Sequence, residues 1–135
     1  MTTQDVILAV RAVIALPDER ILFIQRSDGS HRNPGLWEVP GGGIASGEPI
    51  DVALKREIRE ETGILVSPSH SKPLIFVSPV EKNVRYVELI FRCPPVQDEN
   101  IQLSSEHQAF RWLKVEDTLG LPLTPTAREL VEFLL

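Results

Sequence analysis

The segment Ile50–Glu61 constrains the fold of this chain more than any other stretch. On a helical wheel at about 100° per residue, Ile50, Ala53, Leu54 and Ile58 form one apolar stripe, while Lys55, Arg56 and Arg59 lie around the other side. Glu57, Glu60 and Glu61 fall at angles within or beside the apolar stripe. A helix that docks by this stripe therefore carries three carboxylates to the edge of the protein interior. Ionised carboxylates are costly to desolvate, and acids three and four residues apart repel one another. Protonation, pairing with arginine, or capture of a divalent cation would each relieve that cost. Arg56 reads as lying on another face, so it does not neutralise the whole trio. Oxygen-only ligands point to a hard ion, Mg²⁺ or Mn²⁺. The competing reading is a solvated acidic face on a surface helix. The overlap with the apolar stripe, together with the glycines upstream, favours the ion.

The flanking residues delimit the helix and place it in an α/β fold with a central mixed sheet. Pro49 suits a first helical turn, Glu48 and Asp51 suit the positive end of the dipole, and Gly63 is placed as a left-handed cap. Val6–Leu16 is a long β-branched apolar run, expected to be a strand covered on both faces. The turn signal Pro17-Asp18-Glu19-Arg20 and the strand-like Ile21–Arg26 predict a hairpin. Residues 27–35 read as an exposed loop, and Leu36–Val39 as a short strand. Pro40-Gly41-Gly42-Gly43 then allows backbone shapes closed to other residues. Further strands are expected at Leu74–Val80, Val84–Cys93 and Phe110–Val115, with a last helix from Thr124-Pro125 to Leu134. A length of 135 residues predicts one domain over 1–135.

Composition removes several classes of function. The net charge is −5, which argues against a protein that coats a nucleic-acid polymer, although a divalent cation can hold one nucleotide on an acidic protein. The single cysteine, Cys93, excludes an internal disulfide and reads as a small buried apolar side chain in a reducing compartment. Val6–Leu16 is too short to span a bilayer, and no basic stretch precedes it, so no membrane partner is expected and the cytoplasm is the default location. No Gly-Lys-Ser/Thr follows the glycines, which excludes a P-loop.

The full spacing is Gly42, five residues, Glu48, seven residues, then Arg56-Glu57-Ile58-Arg59-Glu60-Glu61-Thr62-Gly63-Ile64. It resembles the Nudix box, the signature of the Nudix hydrolases, here spanning residues 42–64 with every fixed position present. Among that family, the chain is similar in length to the small single-domain MutT-like members. The resemblance implies the Nudix α/β/α sandwich and hydrolysis of a nucleoside diphosphate linked to another group. It also implies that Glu57, Glu60 and Glu61 bind Mg²⁺ or Mn²⁺, with the carbonyl of Gly41 as a further ligand. Arg56 matches the arginine that orients the glutamates, Glu57 a position that acts as general base in some members, and Glu48 an outer or structural acid. The chemistry agrees: hydrolysis of a phosphoanhydride needs neutralised oxygens and an oriented water.

Outside the box, Glu106 resembles a late glutamate that some MutT-like enzymes place near the metals, and so is a second candidate base. His107 reads as a structural histidine. Arg26 and Arg32 are candidates for meeting phosphates, and Trp37, Phe76 and Tyr86 for lining a base pocket, against the alternative that the aromatics are core. The resemblance favours a nucleoside triphosphate, cleaved to a monophosphate and pyrophosphate. Pro79, fifteen positions beyond Ile64, keeps an ADP-ribose or sugar-nucleotide substrate open, because some ADP-ribose-hydrolysing relatives carry a proline near that distance. A non-catalytic nucleotide-sensing module is the third reading. The partner is in each case a small nucleotide, and the chain is expected to be a monomer or a homodimer.

Overall fold

A computed structural model describes residues 5–67 and 72–135. In chain order the elements are β1 (Asp5–Val13), β2 (Ile21–Arg26), β3 (Trp37–Glu38), β4 (Gly41–Gly43), α1 (Ile50–Thr62), β5 (Leu74–Val77), β6 (Val84–Arg92), β7 (His107–Leu113) and α2 (Pro125–Leu134). A short 3-10 turn at Val115–Thr118 precedes α2. The strands form two sheets, ordered β4-β1-β6-β5 and β3-β2-β7. β1 runs parallel to β6 and antiparallel to β4, so the larger sheet is mixed, as expected.

Side chains alternate across the strands and sort into two cores, one beneath each helix. Val10, Ala12, Ile14, Leu22 and Ile24 pack with Ala53, Leu54 and Ile58 of α1. Val13, Ile21, Phe23, Trp37, Val39 and Ile90 pack with Ala127, Leu130 and Val131 of α2. A helix thus covers each face of the strands, the α/β/α arrangement. Both helices end where the sequence predicts. Gly63 closes α1 at φ 78°, with its N–H donating to the Arg59 carbonyl, and Thr124 caps α2 by accepting from the Ala127 N–H at 3.2 Å.

Several local expectations need correcting. β1 is covered only from Ala9 onward, while Val6, Ile7 and Leu8 are exposed, because the two cores lie beneath its carboxyl half. The β1–β2 hairpin exists only at its closing turn, through Leu16 N–H to the Arg20 carbonyl and Leu22 N–H to the Ile14 carbonyl. Both edges of β1 are already taken by β4 and β6, so β2 departs into the other sheet. The glycine run Gly41–Gly43 is itself a strand, paired to Ala9–Arg11. Its intrinsic strand preference is low, and the open edge of β1 supplies the order. β5 stops at Val77, just before Ser78-Pro79, and β7 starts at His107 and ends at Leu113.

Replacing Thr124 by alanine leaves the Ala127 N–H without its cap. The variant is expected to lose about 1 kcal/mol of stability in chemical denaturation, with the fold retained.

Candidate active site

The core under α1 decides where the acidic residues go. Ala53, Leu54 and Ile58 are fully buried, which presses the helix against β1 and β4 and turns Glu57 and Glu61 toward the glycine strand. The N–H of Gly41 donates to Glu61 Oε1 at 2.8 Å. A Cβ on Gly41 would overlap the backbone of Val10 and Arg11, and a Cβ on Gly42 would overlap the Glu57 carboxylate. The glycines therefore act by close approach: backbone and carboxylate meet where no side chain fits. Glu61 is only 4% exposed. Burial pushes its carboxyl up to about 8, against the Gly41 hydrogen bond and Arg11, which favour the charge.

Arg56 does more than the helical wheel suggests. Its Nε donates to Glu48 Oε2 at 2.7 Å and its Nη2 to Glu48 Oε1 at 2.8 Å, a two-point clasp. Its Nη1 reaches Glu57 Oε1 at 2.8 Å and Glu60 Oε2 at 3.3 Å. The flexible side chain thus curls round the helix to two of the trio and leaves Glu61 unpaired. Hydrogen bonds from Arg56 and the Ala45 N–H hold Glu48 down to about 2. Burial raises Glu57 above the usual carboxylate value, against the pull of Arg56.

Two adjoining cavities open beside these groups. One, of about 410 Å³, is lined by Gly41–Gly43, Glu57, Glu60, Glu61 and Glu106 together with Arg11, Arg26, Arg32 and Tyr86. The other, of about 360 Å³, shares the three arginines, Tyr86 and Glu88 and adds Pro79 and Thr126 among its walls. The Arg32 guanidinium lies 3.5 Å from the centroid of the Tyr86 ring, a cation–π contact. Of the candidate substrate contacts, Arg26, Arg32 and Tyr86 therefore come together. Trp37 does not: it is buried in the core beneath α2, where β3 pairs with β2. Phe76 packs against the same core from β5 and lines neither cavity.

The sequence reading missed a buried chain of charges behind the cavities. Arg11 Nε donates to Glu88 Oε1 at 2.6 Å, and its Nη1 to the Val39 carbonyl at 2.9 Å. Its Nη2 lies 3.4 Å from Glu38 Oε1. Glu38 Oε2 also accepts from Arg26 Nη1 at 3.1 Å and lies 2.9 Å from His107 Nε2. Burial opposes the charge of Glu38, but Arg11, His107 and Arg26 outweigh it and hold the group down to about 2. The Thr126 hydroxyl donates to the second oxygen of Glu88. The available signal was Arg11 itself, a lone charge in a run of buried apolar residues. Cys93 is half-buried, and burial pushes its thiol up to about 11, which suits an unreactive side chain.

A family model of the NUDIX domain matches residues 6–134. The chain belongs to the Nudix family of pyrophosphohydrolases. It is 31% identical over 121 residues to a nucleoside triphosphatase, NudI, of Escherichia coli O139:H28, a match that covers 83% of this chain and 85% of the relative. It superposes on the MutT protein of Methanosarcina mazei with a TM-score of 0.84 at 29% identity, covering 98% of this chain and 95% of that one. The E. coli ORF135 protein gives 0.79 at 31% identity, covering 97% and 90%. Nudix hydrolases use a divalent cation, and the residues here fit one. Among the described residues Glu61 Oε2 accepts no hydrogen bond, and the ligand atoms of Glu61, Glu106 and His107 lie within 4.8 Å of one another. Among the described residues no helix is long and apolar enough to cross a membrane.

Two outcomes follow from this geometry. Gly42→Ala should retain the fold, because the group it displaces is the flexible end of Glu57, yet lose most of its hydrolytic activity as that carboxylate moves. Between the ordinary carboxyl value of 4.5 and about 8, Glu61 carries a proton in the folded chain that it lacks in the unfolded one. In chelator, thermal stability should therefore fall as pH rises across that window. The Glu61→Gln variant, with nothing to titrate there, should show a flatter curve.

Proposed function

We propose that this Nudix protein hydrolyses a nucleoside triphosphate to the nucleoside monophosphate and pyrophosphate. Mg²⁺, or Mn²⁺ in its place, would be held by Glu57, Glu60, Glu61 and the backbone carbonyl of Gly41. One observation carries this reading: the three box glutamates and Glu106 line a single cavity, which Arg11, Arg26 and Arg32 also border. The names of two relatives support the substrate class, a nucleoside triphosphatase at 31% identity and a MutT protein at 29%.

Bound there, the ion would neutralise phosphate oxygens and lower the pKa of water. The chain's own groups supply the rest. Arg56 fixes Glu57 and Glu60, and the Gly41 N–H orients Glu61. Glu57 and Glu106 are the two carboxylates available to take the proton of the attacking water. Arg26 is engaged by Glu38, Ser30 and the Arg32 carbonyl, so its part is to shape the wall. Arg32 has no carboxylate partner among the described residues and is free to meet a phosphate. Tyr86 beneath it offers a base a stacking surface.

A sugar nucleotide is the second reading, favoured by Pro79, which lies in the wall of the adjoining cavity.

The test is turnover of a panel of nucleoside triphosphates and ADP-ribose in Mg²⁺ by the native protein and by Glu60→Gln and Glu61→Gln. Pyrophosphate is expected from a triphosphate, with kcat/KM lowered roughly 100-fold or more in each variant. Equal turnover by all three proteins would overturn the assignment. A preference for ADP-ribose would replace the first reading by the second, and tight nucleotide binding without turnover would mark a sensing module.

A further inference from the structure

The family reading gives the cation oxygen ligands only. The geometry points to a nitrogen donor as well: Nδ1 of His107, with the carboxylates of Glu61 and Glu106, forms a mixed nitrogen–oxygen cation site that suits Mn²⁺ or another first-row transition ion better than Mg²⁺. This inference rests on the reading that the acidic cavity binds a divalent cation.

His107 opens β7, and its side chain is 0% exposed. Its Nε2 lies 2.9 Å from Glu38 Oε2, and Arg11 and Arg26 hold that carboxylate from the other side. An ionised carboxylate only accepts hydrogen bonds, so Nε2 carries the proton and donates it. In the neutral ring, Nδ1 is then left with a lone pair. Among the described residues it is a buried side-chain nitrogen with no hydrogen-bond partner. It faces Glu61 Oε2 at 3.9 Å, too far for a hydrogen bond.

Two buried, electron-rich atoms facing each other are unfavourable unless something positive lies between them. A separation of 3.9 Å falls within the span of roughly 3–4.2 Å open to two donors that each sit about 2.1 Å from one ion. Glu106 brings a third donor within 4.8 Å of the other two and is exposed, so its side chain is free to close the remaining gap. The Glu38–His107 pair also has the form that orients a ligating imidazole, with a carboxylate on the far ring nitrogen fixing both tautomer and direction. Imidazole nitrogen favours transition ions, whereas Mg²⁺ keeps to oxygen.

The experiment is pulsed electron paramagnetic resonance of Mn²⁺ on the full chain, in natural abundance and with ¹⁵N-labelled histidine. A directly coordinated histidine nitrogen is expected, with the coupling changing on labelling. His107→Gln, which keeps an amide donor toward Glu38, should abolish the coupling and weaken Mn²⁺ binding at least about tenfold more than Mg²⁺ binding, as read by calorimetry. Should that variant fail to fold, the coupling must survive in a His31→Gln/His70→Gln double variant. Mn²⁺ bound without nitrogen coupling overturns this inference alone. No Mn²⁺ uptake by the native protein overturns both this inference and the cation reading beneath it.

Discussion

The close approach of the buried Glu61 carboxylate to the glycine strand is the constraint on which the cleft depends. Its distance to the Gly41 N–H is possible only because β4 carries no side chains, and β4 exists as a strand only because β1 offers it an edge. The apolar face of α1 supplies the force. Ala53, Leu54 and Ile58 are fully buried, and each is worth roughly 1–3 kcal/mol of hydrophobic burial according to size. Some of that free energy offsets the cost of holding a carboxylate away from water. The site is therefore an output of the core: loosening α1 would relieve the acid and lose its placement together.

Charge compensation is divided between an exposed and a buried system. At the surface, Arg56 gathers Glu48, Glu57 and Glu60, so repulsion along α1 is met by one cation that bridges three acids. In the interior, Arg11 links Glu88 to Glu38, and Arg26 and His107 complete the shell around Glu38. Such buried networks add little net stability compared with apolar packing, but removing one member leaves an uncompensated charge and costs several kcal/mol. Their return here is position. Arg11 lines both cavities, and His107 ties the network to the acidic end of α1.

The two cavities differ in the elements that wall them. The acidic cavity is walled by α1, β4, the Ser104–Glu106 loop and side chains of β1 and β6. The adjoining one is walled by the 31–33 loop, the β5–β6 connection and the start of α2. Arg11, Arg26, Arg32, Tyr86 and Glu88 line both cavities, so the two meet along a common wall.

The acidic helix, its limits at Pro49 and Gly63, the box spacing and the cap at Thr124 were all legible in the sequence, because each depends on residues within a turn or two of one another. Periodicity and capping are local, and they alone placed Glu57, Glu60 and Glu61 beside an apolar stripe. What the chain does at a distance was not legible. That β1 pairs with β4 and β6 rather than β2, that Arg56 reaches Glu57 and Glu60, and that Trp37 is core while Arg32 stacks on Tyr86 all depend on strand partners far apart in the chain. The buried chain from Glu88 through Arg11 and Glu38 to His107 joins four separate strands, and no spacing rule connects them. Sequence by itself set three acids beside the apolar stripe of one helix, of which the fold buries Glu61, half-buries Glu57 and leaves Glu60 exposed. Tertiary structure decided what they meet there, because hydrogen bonds and ion pairs between distant segments exist only once the sheets have closed.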